Sequence, residues 1–185
     1  VWFMQEKVFR NRKNHRKLLC YIKAETIYDI TYLFANKFLQ QSDRTIDQMV
    51  QAARSGKQNI IEGCAASATS QKTEIKLVNV AKASLQELLE DYRDYLRTRG
   101  LKQWSDQSVE WQAMRELGKK HNDAEFFMAL CPSRSAEVIA NMVIVLIYQA
   151  DYLLFKQLER LEKDFLAEGG FTERMYRVRK QQRGF

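Results

Sequence analysis

Residues 53–63 read Ala53-Arg54-Ser55-Gly56-Lys57-Gln58-Asn59-Ile60-Ile61-Glu62-Gly63. Small and polar residues stand here where a helix ordinarily shows its apolar face. Extended upstream, the same register collects Ile46, Met49, Val50, Ala53, Gly56 and Ile60 into one stripe at the three- and four-residue spacing of an amphipathic helix. The stripe shrinks from Met and Val to Ala and Gly, so a neighbouring backbone can approach closely. A glycine inside a helix costs about 1 kcal/mol relative to alanine, and close packing is the reason to expect at Gly56. Ser55, Asn59 and Glu62 share a further face of this helix, and Ser84 and Glu87 can share a face of the next long one. If the two faces meet, they form an interhelical polar network whose members must be satisfied to be buried. The reading we favour is that the network sets helix register or a subunit contact; the competing one is that Asn59 and Glu62 touch a ligand.

Outward from this segment the chain reads as helix throughout. A first helix is expected over 18–41, carried by Leu19, Ile22, Ile27, Ile30, Leu33, Phe34 and Phe38, with Ser42 and Asp43 available to cap its successor. The second spans 44–64 and is expected to stop at Gly63. The third spans 71–99, with Ser70 as N-cap, Ile75, Val78, Ala81, Leu85, Leu88, Leu89, Tyr92 and Leu96 on its inner face, and a basic last turn before Gly100. The pattern breaks over 101–134, where 108–117 and 123–130 each suit a short helix and Trp104, Trp111, Phe126 and Phe127 are available as cover. A fourth long helix is expected over 135–168, apolar nearly all round in its first half, and Gly169-Gly170 stops it. A short amphipathic basic helix follows from Thr172. The fold class expected is therefore all-α: an antiparallel four-helix bundle, 18–170, with an inserted short-helix segment at 101–134 between helices three and four, a basic N-terminal arm at 1–17 and a short basic C-terminal helix in a suffix at 171–185.

Composition narrows the function classes. With 185 residues, 45% of them hydrophobic, and a single Pro, the chain suits one packed domain and is not a disordered polymer. The net charge of +7 is unevenly placed. Residues 1–17 hold Lys7, Arg10, Arg12, Lys13, Arg16 and Lys17 against Glu6; residues 171–185 hold Arg174, Arg177, Arg179, Lys180 and Arg183 against Glu173. The body between is slightly acidic, so the excess lies at the two ends. Basic ends attract phosphate, in nucleic acid before an anionic membrane. Their bland alternative is a solvated, solubilising tail. Arg54 and Lys57, with Lys72 and Lys76, either extend such a surface or form an ordinary charged face. Trp2, Phe3, Phe9, Tyr176 and Phe185 lie among the end charges, where rings can stack on single-stranded bases, although packing is the reading favoured for them.

Cys20, Cys64 and Cys131 are an odd number without a C-x-x-C pair, which suits reduced thiols and a cytoplasmic setting. Val1-Trp2-Phe3-Met4 is too short for a signal-peptide core. The apolar run 138–155 is interrupted by Asn141, Gln149 and Asp151, which favours a buried or subunit-contacting helix over a membrane span. A di-metal carboxylate bundle needs Glu-x-x-His pairs, and neither His15 nor His121 completes one. No nucleophile elbow, P-loop, dinucleotide-binding glycine pattern or zinc-protease motif is present. No metal, cofactor or catalytic residue is expected.

The segment from Ser55 to Gly63 resembles the signature of the bacterial four-helix-bundle family first named for ribosomal-RNA intervening-sequence proteins, roughly Arg-Ala-x-Ser-x-x-x-Asn-Ile-x-Glu-Gly. Ala53, Ser55, Asn59, Ile60, Glu62 and Gly63 match it. Ala83-Ser84-Leu85-Gln86-Glu87 resembles the family's small-Ser-x-x-Glu element, and Tyr28-Asp29-Ile30-Thr31 with Phe34 fits its first helix. The resemblance covers residues 20–100 closely and the fourth helix loosely, and Glu168-Gly169-Gly170-Phe171-Thr172-Glu173-Arg174-Met175 is similar to a suffix of one subgroup. It implies a small all-helical protein that assembles into rings, often pentamers, with relatives that serve diversity-generating retroelements by binding nucleic acid and contacting a reverse transcriptase. The insertion and the basic suffix depart from the minimal pattern. The expectation is a non-enzymatic, ring-forming accessory protein. Arg174, Arg177, Arg179, Lys180 and Arg183 would hold phosphate, assisted by Arg10, Arg12, Lys13 and Arg16. The alternative is a structural protein–protein interaction module.

Overall fold

A computed structural model describes residues 8–9, 13–40 and 43–183, and among them it is all-helical. The helices are α1 (Leu19–Phe38), α2 (Thr45–Ala66), α3 (Gln71–Thr98), α4 (Val109–Lys120), α5 (Ala124–Leu130), α6 (Ala136–Glu168) and α7 (Phe171–Arg183), with short 3-10 turns at His15–Lys17 and Cys131–Ser133. Local chemistry explains most starts. The side chains of Ser70, Ser108, Asp123 and Ser135 accept from the backbone N–H three residues on, capping α3, α4, α5 and α6. Asp43 accepts from the Thr45 N–H at 2.9 Å beside the start of α2. Gly169, at φ 70°, ends α6 in a left-handed conformation that suits glycine.

The four long helices pack in a closed cycle, α1 on α2, α2 on α3, α3 on α6 and α6 on α1, while α5 covers α1 and α4 covers α6. At the centre the Phe34 ring sits 5.1 Å from Tyr92 and 4.8 Å from Tyr95, and the buried Tyr92 hydroxyl donates to Thr31 Oγ1 at 3.0 Å. Every residue from 139 to 147 is buried. The polar member of that run, Asn141, is fully satisfied: its Nδ2 donates to the carbonyls of Lys102 and Glu137, and its Oδ1 accepts from the Trp104 N–H at 2.8 Å. The residue expected to disfavour a membrane span therefore ties the 101–108 loop onto α6. By length and composition the α6 region is able to cross a membrane, with a mean hydropathy of 1.8, and 61% of that window is buried in the packed structure.

Three helix ends differ from expectation, that of α4 by running on to Lys120 past the expected 117. Helix α1 ends at Phe38, with Leu39 and Gln40 already extended or bent. Helix α2 runs through Gly63 to Ala66, because Gly63 is not needed as a terminator. It lies against the Glu74 carbonyl and the Leu77 and Val78 side chains of α3. Gly56 is the tighter contact: a Cβ there would stand 2.7 Å from Leu85 Cδ2. The two glycines should respond differently to alanine. Gly56→Ala overpacks against the fully buried Leu85, and urea unfolding should show a loss of about 1 kcal/mol or more despite a similar gain in helix propensity. At Gly63 the added methyl meets ordinary van der Waals contacts, so Gly63→Ala should be neutral or stabilising by up to about 1 kcal/mol.

Candidate functional site

Helix α7 carries the densest run of cations. Arg177, Arg179, Lys180 and Arg183 are exposed on it. Arg177 Nη2 reaches back to the Glu168 carbonyl at 2.7 Å, fastening the helix to the end of α6, and the Glu173 carboxylate accepts from the Gly170 N–H at 2.6 Å. Tyr176, expected to pack, is 69% exposed. With Thr172, Met175, Arg179, Lys180 and Arg183 it lines a depression of about 490 Å³. An aromatic face beside three cations is an arrangement that suits a base and its phosphate. The Phe9 ring lies 5.8 Å from Phe171, at the start of α7.

Two residues expected at this surface are placed elsewhere. Arg174 is only 4% exposed, so its guanidinium is not presented to an external phosphate. The cause is helical geometry: a residue four positions on is offset by only about 40°, so Arg174 shares the inward face of the buried Val178 as closely as the outward face of Arg177. Lys13 is held by the buried Glu74 carboxylate at 2.8 Å and its own N–H contacts Ser67 Oγ. Arg16 is exposed. Arg10 and Arg12 lie outside the described residues, as do Trp2, Phe3, Gln41, Ser42 and Phe185.

The interhelical polar segment is partly assembled. Ser55 Oγ and Ser84 Oγ are 2.9 Å apart, joining α2 to α3, and Asn59 Nδ2 donates to the Ser55 carbonyl and hydroxyl. Ser84 also donates to the Val80 carbonyl. Glu62 and Glu87 are exposed and stand outside this cluster; three or four residues along a helix also rotate a side chain off the contact line. Lys57 lies over the Tyr28 ring at 4.1 Å, while Arg54, Lys72 and Lys76 are exposed. Among the described residues no three His, Cys, Asp or Glu side chains converge as a metal site. Cys20, Cys64 and Cys131 are buried, and burial pushes the Cys20 thiol up to about 11.

One feature escaped the sequence reading. Lys23 is 1% exposed, on the inward face of α1 between Cys20 and Ile27. Its ammonium donates to the Gly118 carbonyl at 2.6 Å and to the His121 carbonyl at 3.4 Å, with the Phe127 ring 5.8 Å away. The available signal was a lysine at an inward register position, three residues past Cys20 and four before Ile27.

Comparison with protein families, with characterised proteins and with solved structures found no match.

Burial pushes the Lys23 ammonium down from its ordinary 10.5 to about 8, against a smaller raising influence of Asp123. Between those values the unfolded chain binds more protons than the folded one, so this residue's contribution to stability rises with pH through that window and its charge-burial cost is fully present below it. Urea unfolding of the wild type and Lys23→Met at about pH 7 and about pH 9.5 should show the wild type gaining relative to the variant at the higher pH. Titrations common to both proteins, Cys20 included, cancel in the difference. A constant difference would contradict the account.

Proposed function

We propose that the protein is a non-enzymatic accessory protein that binds nucleic acid through the exposed face of α7, as a homo-oligomer. The observation that carries this reading is the set Arg177, Arg179, Lys180 and Arg183 around the exposed Tyr176. Cations at this density bind by releasing condensed counterions from phosphate, and they position a strand without specifying its sequence. Arg16 extends the set; Arg174 and Lys13 are left out of it, for the burial and pairing described above. The finer architecture we infer is an antiparallel four-helix bundle of α1, α2, α3 and α6 with α4 and α5 inserted. The resemblance at residues 53–63 favours a cytoplasmic ring, a pentamer first, in which repetition of α7 raises avidity, and a reverse transcriptase as the class of protein partner.

A second reading, a structural protein–protein interaction module, is favoured by α6. Tyr148, Tyr152 and Phe155 recur at helical spacing and are 41%, 59% and 46% exposed, a row of aromatic side chains suited to a second protein surface.

Salt separates the two readings. Labelled mixed-sequence RNA and DNA should bind the wild type with an affinity that falls steeply as salt rises. Changing Arg177, Arg179, Lys180 and Arg183 together to Gln should weaken binding at low salt by more than about tenfold and flatten the log–log salt slope by roughly one unit per lost phosphate contact, with the oligomer's mass unchanged. No binding by the intact oligomer at low salt would leave the interaction module in front.

A further inference from the structure

A second cavity, of about 590 Å³, lies between α1, α4 and α6. Its volume falls within the range of small-molecule sites. Leu19, Val145 and Leu153 supply apolar surface, and Trp111, Tyr148 and Tyr152 supply aromatic surface. Trp111 and Tyr148 meet edge to face at 5.4 Å, which holds one wall in place. Three cations, Lys23, Arg115 and Lys119, reach the lining, and no carboxylate does.

The charges are unequal in their partners. Lys119 is paired with the exposed Glu116 at 2.6 Å, a surface contact that contributes little and exchanges readily. Arg115 is exposed on the same helix. Lys23 is buried, and its hydrogen bonds run to two neutral carbonyls rather than to a carboxylate. A buried ammonium whose hydrogen bonds run to carbonyls, with Asp123 contributing a charge influence smaller than the desolvation, carries a desolvation cost that an anion in the same cavity offsets. Gln149 adds a second unmet demand. Its Nε2 donates to the Arg115 carbonyl at 2.8 Å, which fixes the amide, while its Oε1 is buried without a partner. Gly118 makes room for this amide, since a Cβ there would run into it. The cavity thus presents aromatic and aliphatic walls and a positive lining.

We propose that this cavity is a binding site for a small aromatic carboxylate, its ring held by Trp111, Tyr152 and Leu153, and its carboxylate facing Lys23 and Arg115. The cavity has the volume for a single small molecule, and the cations of α7 line a different depression. The site is therefore independent of the polyanion surface.

Isothermal titration of the full chain with 2-naphthoate, alongside the neutral isostere 2-naphthamide, tests the assignment. The acid should bind one per chain, and the amide about tenfold to a hundredfold more weakly, the range of a lost charge-assisted hydrogen bond. Lys23→Met should weaken the acid by the same factor while leaving the amide unchanged. Should that variant fail to fold, Arg115→Gln, at an exposed position, should reduce acid binding alone by about threefold or more. The fourfold Gln variant of α7 should bind 2-naphthoate as the wild type does. Equal affinity for acid and amide, absence of acid binding up to its solubility limit, or unchanged acid binding in the cavity variant that folds would each overturn the assignment.

Discussion

A helix with no polar face must be covered on every side, and residues 139–147 of α6 impose that requirement on the rest of the chain. Two long helices, α1 and α3, cannot enclose it alone. The closed cycle of α1, α2, α3 and α6 covers the inward sides, and α4 lies against α6 from outside the cycle. Asn141 adds a directional element that apolar packing lacks. Its three hydrogen bonds fix where the 101–108 loop crosses α6, and that crossing sets where α4 begins. The segment 101–134 is thus part of the core's cover.

The same placement makes the cavity. Once α4 and the turn after it are fixed, the Gly118 and His121 carbonyls stand over α1 at the one position where a lysine occupies the inward face. Lys23 links α1 to that corner at a distance of almost 100 residues along the chain. The link is polar in an apolar setting, so it specifies geometry more than it stabilises, since burying the charge opposes folding at neutral pH. Trp111, Tyr148 and Tyr152 then frame the opening where α4 packs on α6, their aromatic side chains partly exposed.

The two basic ends follow a different physical logic. They are joined to each other by Phe9 with Phe171, and to the body by Lys13 with Glu74 and Arg177 with the Glu168 carbonyl. The Lys13–Glu74 ion pair and the burial of Arg174 each remove a cation from the exposed surface, while Arg177 stays exposed. What remains outward is a compact set on α7 with Tyr176 among it, a smaller and better defined surface than net charge suggests.

Periodicity made the long helices legible because burial demands an apolar residue every three or four positions, and Ser70 marked the start of α3 as its N-cap. The shrinking stripe likewise announced the close α2–α3 contact at Gly56, since only a missing side chain admits Leu85 there. Gly63 misled because a glycine that terminates a helix and one that packs within it look alike in a sequence. The cluster of Ser55, Asn59 and Ser84 was legible from spacing; the exclusion of Glu62 and Glu87 from it was not, because a few tens of degrees of helix rotation decide which side chains meet. The sequence by itself determined an all-helical chain with basic ends. Only the tertiary structure decided that Arg174 turns inward, that Lys23 is buried under two carbonyls, and that α1, α4 and α6 leave a positively lined cavity between them, because each depends on contacts between segments far apart in the chain, which no local pattern encodes.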